Sequence, residues 1–144
     1  MFEQTVQTSI AWVDEVSRCL GVERERGYRA LRAVLGVLRD RLPPVTAVHL
    51  AAQLPMLLRG AYFEGWRPSA RPARIRDPAE LLALVREAMG PIRGESDDVY
   101  ADDGLHAVLR VLARHVSHGE LRHVVERLPT PVRTMCVSAA GLEG

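Results

Sequence analysis

The sequence predicts an all-α fold of about eight helices, built as two four-helix copies related by an approximate twofold rotation. Residues 31–60 align with residues 105–134 without a gap, and ten of the thirty positions are identical, where roughly two are expected by chance. Apolar residues recur at helical spacing, and no stretch alternates with period two beside turn residues. The identical positions are Leu31/Leu105, Ala33/Ala107, Val34/Val108, Leu35/Leu109, Val37/Val111, Leu38/Leu112, His49/His123, Leu54/Leu128, Pro55/Pro129 and Arg59/Arg133.

The first copy reads as four consecutive helices. The apolar face of the first helix precedes a glycine stop and consists of Val6, Ile10, Val13, Val16 and Leu20. A second helix over about 24–42 supplies a central core face that includes Tyr28 and Leu35, and Pro43-Pro44 ends it. A short third helix follows, and Leu54-Pro55 turns the chain into a fourth because proline disfavours helical conformation in the preceding residue.

The second copy repeats this order with different boundary residues. Asp77, Pro78 and Glu80 form a capping-box start for its first helix. A loop is expected over 91–100, followed by a central helix over about 101–116. Ser117 and Glu120 then start its third helix, and Leu128-Pro129 turns the chain into the fourth.

The chain divides into three segments. Residues 1–66 form the first repeat, residues 67–76 an extended linker rich in arginine and proline, and residues 77–138 the second repeat. A repeat of about 65 residues is marginal alone because a small unit buries too little surface. We therefore expect one shared core and a single structural domain.

Composition restricts the functional classes. The chain has 144 residues, a formal charge of +1 and 47% apolar residues, which is typical of a soluble globular protein. No apolar run approaches the roughly 20 residues that span a bilayer, and the first residues lack signal-peptide features, so a cytoplasmic location is expected. Lysine is absent, which excludes a lysine Schiff base and a phosphate-loop lysine. Cys19 and Cys136 have no paired spacing and are expected to be free, mostly buried thiols.

An aromatic and arginine-rich segment is the candidate binding surface. Tyr62, Phe63 and Trp66 precede Arg67 and Arg71 of the linker. Aromatic anchors beside arginine are typical of binding hot spots, but such aromatics also seal grooves between helical units. We favour the sealing interpretation, which predicts that Trp66 is largely buried.

Histidines supply a second set of candidates. His49 and His123 occupy equivalent repeat positions and are interpreted as hydrogen-bonding residues under the Leu-Pro turn or as a pair near the twofold axis. The histidines that could ligate a transition metal are His115, His118 and His123, but few carboxylates lie at the spacing of metal ligands. They are expected to be surface or capping histidines near a helix end. Neither a metal nor any other cofactor is expected.

The run QLPMLLRGAYFEGWRPS, from Gln53 to Ser69, follows a helix that reads RALRAVLGVLRDRLP. Together they closely resemble a bacterial and archaeal family known as domain of unknown function 2267. The run AVLRVLARHVSHGEL, with LPTPVR downstream, is similar to the second repeat of that family. The resemblance spans about residues 8–135 and implies a small, all-helical, internally duplicated fold. It implies no activity, ligand or catalytic residue.

These observations favour a non-enzymatic helical module that binds a protein partner or associates with itself. The alternative is a small-ligand-binding protein or an enzyme that uses the groove between the two copies. No nucleophile or general base stands in a catalytic motif, so no catalytic residue is assigned. Nucleic acid is not an expected partner because the charge is near zero and no broad basic face is evident. No membrane association is expected.

Overall fold

The computed structural model describes residues 2–90 and 97–142, with side chains 97–99 outside the description. These residues form eight α-helices and no strand, so the all-α prediction is confirmed. The helices are α1 (Phe2–Leu20), α2 (Arg24–Asp40), α3 (Pro44–Ala51), α4 (Met56–Phe63), α5 (Pro78–Met89), α6 (Asp97–His115), α7 (His118–Val125) and α8 (Thr130–Ala140).

Helices α2 and α6 lie at the centre. Helix α2 packs against α1, α4, α5 and α6, and helix α6 packs against α1, α2, α5, α7 and α8. Their facing leucines are almost completely buried, with Leu35 and Leu109 each 1% exposed. All eight helices contribute side chains to one apolar cluster, so both halves of the chain depend on the same core.

The helix boundaries follow the capping residues that the sequence contains. The Asp77 carboxylate accepts a hydrogen bond from the Glu80 backbone N–H at 2.9 Å, and the Glu80 carboxylate accepts one from the Arg76 N–H at 2.9 Å. The Ser117 hydroxyl accepts from the Glu120 N–H at 3.2 Å. The Gln53 side-chain oxygen accepts from the Ser117 N–H at 2.9 Å, which joins the end of α3 to the start of α7.

Four details of the sequence interpretation were wrong. Tyr28 is 36% exposed because it lies at the edge of the buried stripe of α2 rather than in its centre, and Val6 is 41% exposed on the first turns of α1. Cys19 is exposed, and only Cys136 is a buried thiol. Helix α6 already begins at Asp97, within the segment predicted to be a loop. Residues 97–100 of the predicted loop thus belong to α6, and residues 91–96 lie outside the described residues.

The segment between α4 and α5 contains no helix but is fastened to the core at one point. Ile75 is 1% exposed and belongs to the apolar cluster. The linker is therefore held against the helices near its end, which its arginine and proline content did not predict. Within the described residues, none of the helices combines the length and apolar character needed to cross a membrane.

Candidate functional site

The structure places Tyr62 in the core rather than on a binding surface. Its side chain is 1% exposed, and its hydroxyl donates a hydrogen bond to the Ala47 carbonyl at 2.8 Å. Burial raises the pKa of the Tyr62 phenol above its ordinary value. Tyr62 thus fixes α4 against α3 and cannot contact a partner while the fold is intact.

Phe63 and Trp66 form the more accessible end of this aromatic group. Their ring centroids are 5.5 Å apart, and both rings are half-buried against the core. Trp66 is therefore less buried than the sealing interpretation predicted. Arg67 and Arg71 are exposed. The exposed part of this segment therefore consists of two arginines and part of an indole ring.

His49 and His123 lie on helices that pack together, α3 and α7. His49 is exposed and His123 is half-buried. The Nε2 atom of His123 is 3.4 Å from the Arg127 guanidinium, and no hydrogen bond joins the two histidines in the described part of the chain. The two histidines thus lie on neighbouring helices and have different environments.

His115 belongs to a cluster that sequence inspection did not find. Its ring stacks on Trp12 with centroids 4.6 Å apart, and its Nε2 atom is 2.5 Å from a Glu15 carboxylate oxygen. Arg114 donates to the other Glu15 oxygen at 3.0 Å. Burial of Glu15 raises its pKa, but the hydrogen bonds from His115 and Arg114 outweigh burial and leave the pKa below its ordinary value. The cluster ties α1 to α6.

The structure does not bring the three candidate metal-ligating histidines together. The Nε2 atom of His118 is 3.4 Å from the Arg122 guanidinium, whereas His115 contacts Glu15. Over residues 2–90 and 97–142, no group of three histidine, cysteine, aspartate or glutamate side chains is placed to hold a metal ion.

Arginine side chains bind the carbonyls where helices end. Arg59 donates to the carbonyls of Ala51 and Leu54, each at 3.0 Å, and Arg133 donates to those of Glu126 and Leu128 at 3.1 and 3.2 Å. Both arginines lie early in the fourth helix of their half. Because helix C-termini leave carbonyls unpaired and carry partial negative charge, these contacts stabilise α3 and α7.

An apolar groove opens between α1, α2 and α4. Its volume is about 570 Å³, and Ile10, Val13, Tyr28 and Leu57 line it together with Ser9, Leu58, Arg24 and Glu25. Leu57 is 51% exposed, and Met56 next to it is 63% exposed. The groove and the residue beside it therefore present apolar side chains to solvent. Sequence reasoning missed the groove because it assigned Tyr28, which lines it, to the core.

A second, polar groove runs along α2 between α4 and α5. Its volume is about 760 Å³, and its walls carry Arg29, Arg32, Asp40 and Glu64. The Arg32 guanidinium lies 3.2 Å from the Glu64 carboxylate, and Arg29 lies 3.6 Å from Glu25. The walls are therefore lined by charges that already pair with one another.

Comparison with known proteins identifies a family without assigning chemistry. A family model described as "Uncharacterized conserved protein (DUF2267)" matches residues 10–135, most of the chain. No curated protein matches the sequence.

Proposed function

The chain belongs to the DUF2267 family, whose description names no activity, and we propose that it is a non-enzymatic helical module that self-associates through the apolar groove. The observation that carries this proposal is the uncovered apolar surface between α1, α2 and α4. The charges beside the groove are already paired, since Arg24 lies 2.9 Å from Asp14 and Glu25 lies 3.6 Å from Arg29. The occupant therefore needs apolar side chains rather than charge.

A second copy of the chain has a suitable apolar surface. Phe2 and Val6 are 87% and 41% exposed, and they continue the stripe that Ile10 and Val13 form in the groove wall. Residues at this spacing share one helix face. The chain thus carries both an apolar groove and an uncovered apolar helix turn, which is the self-complementary combination that a twofold dimer requires.

We also propose that the two halves are duplicated copies related by a pseudo-twofold axis. Helices α3 and α7 begin at Pro44 and His118 and end at Ala51 and Val125, so both boundaries differ by 74 residues. The contacts between helices correspond in the same way. Helix α1 of the first half packs on α6 of the second, and α5 of the second half packs on α2 of the first. The apolar groove belongs to the first half, so a dimer formed through this groove uses one copy of the repeat and leaves the other copy free.

The test is the concentration dependence of mass in solution. We expect the parent chain to dimerise at micromolar to millimolar concentration in sedimentation experiments. Leu57→Glu should remain monomeric with an unchanged melting temperature, because an exposed position tolerates charge. Val45→Glu is the matched control, since Val45 is 68% exposed but does not line the groove. A parent chain that stays monomeric at the highest concentration overturns self-association and leaves the groove to a different protein.

The polar groove favours one alternative. Its volume of about 760 Å³ falls within the range of roughly 300–1,000 Å³ that small-molecule sites occupy. A ligand there would have to compete with the Arg32–Glu64 and Arg29–Glu25 pairs. Saturable stabilisation by a small polar molecule, abolished by Arg32→Gln and retained in Leu57→Glu, would favour this alternative over self-association.

A further inference from the structure

A small cavity beside the end of the linker is surrounded by arginines. Its volume is about 220 Å³, and its walls contain four guanidinium groups and one carboxylate. We call it the arginine pocket, and its charged residues are Arg41, Arg74, Arg127, Arg133 and Glu126. It is separate from the apolar groove, with which it shares no lining residue.

Three parts of the fold converge on the arginine pocket. Arg41 directly follows α2, Arg127 lies in the turn after α7, and Arg133 lies in α8. Ile75, buried to 1% exposure, anchors the linker at this place and so positions Arg74 beside the pocket. The arginines come from distant sequence positions, and the anchored linker holds them around one cavity.

The pocket contains hydrogen-bond donors without acceptors. The Nε atoms of Arg41 and Arg133 are buried and have no hydrogen-bond partner within the described residues. Arg59, the repeat equivalent of Arg133, uses its Nε atom to bind the Ala51 carbonyl. Arg133 instead binds both of its carbonyls through Nη2, which leaves Nε unused. An unpaired buried donor is costly, and an acceptor supplied by a ligand would remove that cost.

The pocket also carries an excess of positive charge, with four arginines and one glutamate in its walls. None of its four arginines lies within ion-pair distance of a carboxylate in the part of the chain that the structure describes. Guanidinium groups present paired N–H donors that match the oxygens of phosphate and carboxylate. The volume of 220 Å³ is below the usual range for drug-sized ligands. We infer that the arginine pocket binds a small, doubly charged oxyanion of the phosphate class.

The experiment is titration of the full chain with inorganic phosphate, followed by calorimetry and by phosphorus NMR, with chloride used to keep ionic strength constant. Arg41→Gln and Arg74→Gln each remove one charge from the pocket. Neither variant removes a side-chain hydrogen bond to the carbonyls at the end of a helix. Arg71→Gln is the matched control, because Arg71 is an exposed linker arginine that does not line the pocket. Melting curves verify that each variant folds.

We expect saturable phosphate binding that weakens at least about tenfold in Arg41→Gln and in Arg74→Gln and is unchanged in Arg71→Gln, since one charge-assisted hydrogen bond corresponds to about that factor. A parallel titration with glycerol 3-phosphate identifies the source of the group: binding of the ester assigns a phosphoryl group on a larger molecule, and binding of inorganic phosphate alone assigns the free ion. Absence of phosphate binding, or equal binding in all three variants, overturns the inference.

Discussion

Arginine at single positions stabilises this fold through geometry as well as charge. Arg39 is 8% exposed, and its guanidinium donates to the Tyr62 carbonyl at 2.7 Å, the Glu64 carbonyl at 3.0 Å and the Asp40 carboxylate at 2.8 Å. A planar group with five donors can reach three acceptors at once, whereas an ammonium group acts as a point charge. The Arg39 side chain therefore caps the C-terminus of α4 and links that helix to α2.

We predict that Arg39→Met lowers the free energy of unfolding by about 2–3 kcal/mol, because two carbonyls at the end of α4 lose their charged donor. Urea denaturation measures the change. Arg71→Met provides the control at an exposed position and should stay within about 0.5 kcal/mol of the parent. Equal stability of Arg39→Met and the parent would contradict this role for Arg39.

Glu15 gives the stability of the protein a specific pH dependence. Burial raises its pKa, but the hydrogen bonds and charges of His115 and Arg114 together lower the pKa below the ordinary value of 4.5. A carboxyl whose folded pKa is depressed contributes stability above its unfolded pKa and loses that contribution as pH falls through the folded pKa. The contribution of Glu15 is therefore complete at neutral pH and declines in the acid range below 4.5.

Glu15→Gln removes this contribution and tests the sign. We expect the variant to be about 1 kcal/mol less stable than the parent at pH 7, since the pair is partly exposed. The difference should shrink as pH falls below 4.5. Chemical denaturation of both proteins at several pH values measures it. A difference that grows toward acid pH would show that Glu15 does not ionise as the geometry indicates.

At the level of helices, the sequence predicted those boundaries that depend on local chemistry. Asp77 and Glu80 bind neighbouring backbone N–H groups, so spacing alone identifies the start of α5. The equivalent arginines Arg59 and Arg133 also bind carbonyls only a few residues away. These contacts join residues that are three to eight positions apart in the sequence, a separation over which helical periodicity and capping preferences still carry information.

Contacts between distant helices could not be predicted in the same way. Glu15 and His115 are 100 residues apart, and no local pattern indicates that α1 packs on α6. Tyr28 illustrates the same limit, because its spacing fits the apolar face of α2 while the position of α1 decides whether that edge is covered. The apolar groove and the arginine pocket both depend on such packing, which is why neither was found from sequence.

For the whole molecule, each half completes the core of the other. Helix α1 packs on α6 and helix α5 packs on α2, so the first helix of each half covers the central helix of the other half. The central leucines, such as Leu31 and Leu105 at 1% and 0% exposure, lie within this shared cluster. Separating the halves would expose both faces to water at once.

We therefore predict that residues 1–70 alone do not fold cooperatively, because exposing buried leucines removes stabilisation of about 1.5–3 kcal/mol per side chain, against a total stability of only about 5–15 kcal/mol for a domain. Circular dichroism during heating measures this, and the full chain should melt in one transition. Mixing residues 1–70 with residues 71–144 in equal amounts should restore helical signal, since each fragment supplies the missing face. A sharp melt by residues 1–70 alone would mean that the first half has an independent core and that the packing of α1 on α6 contributes little to stability.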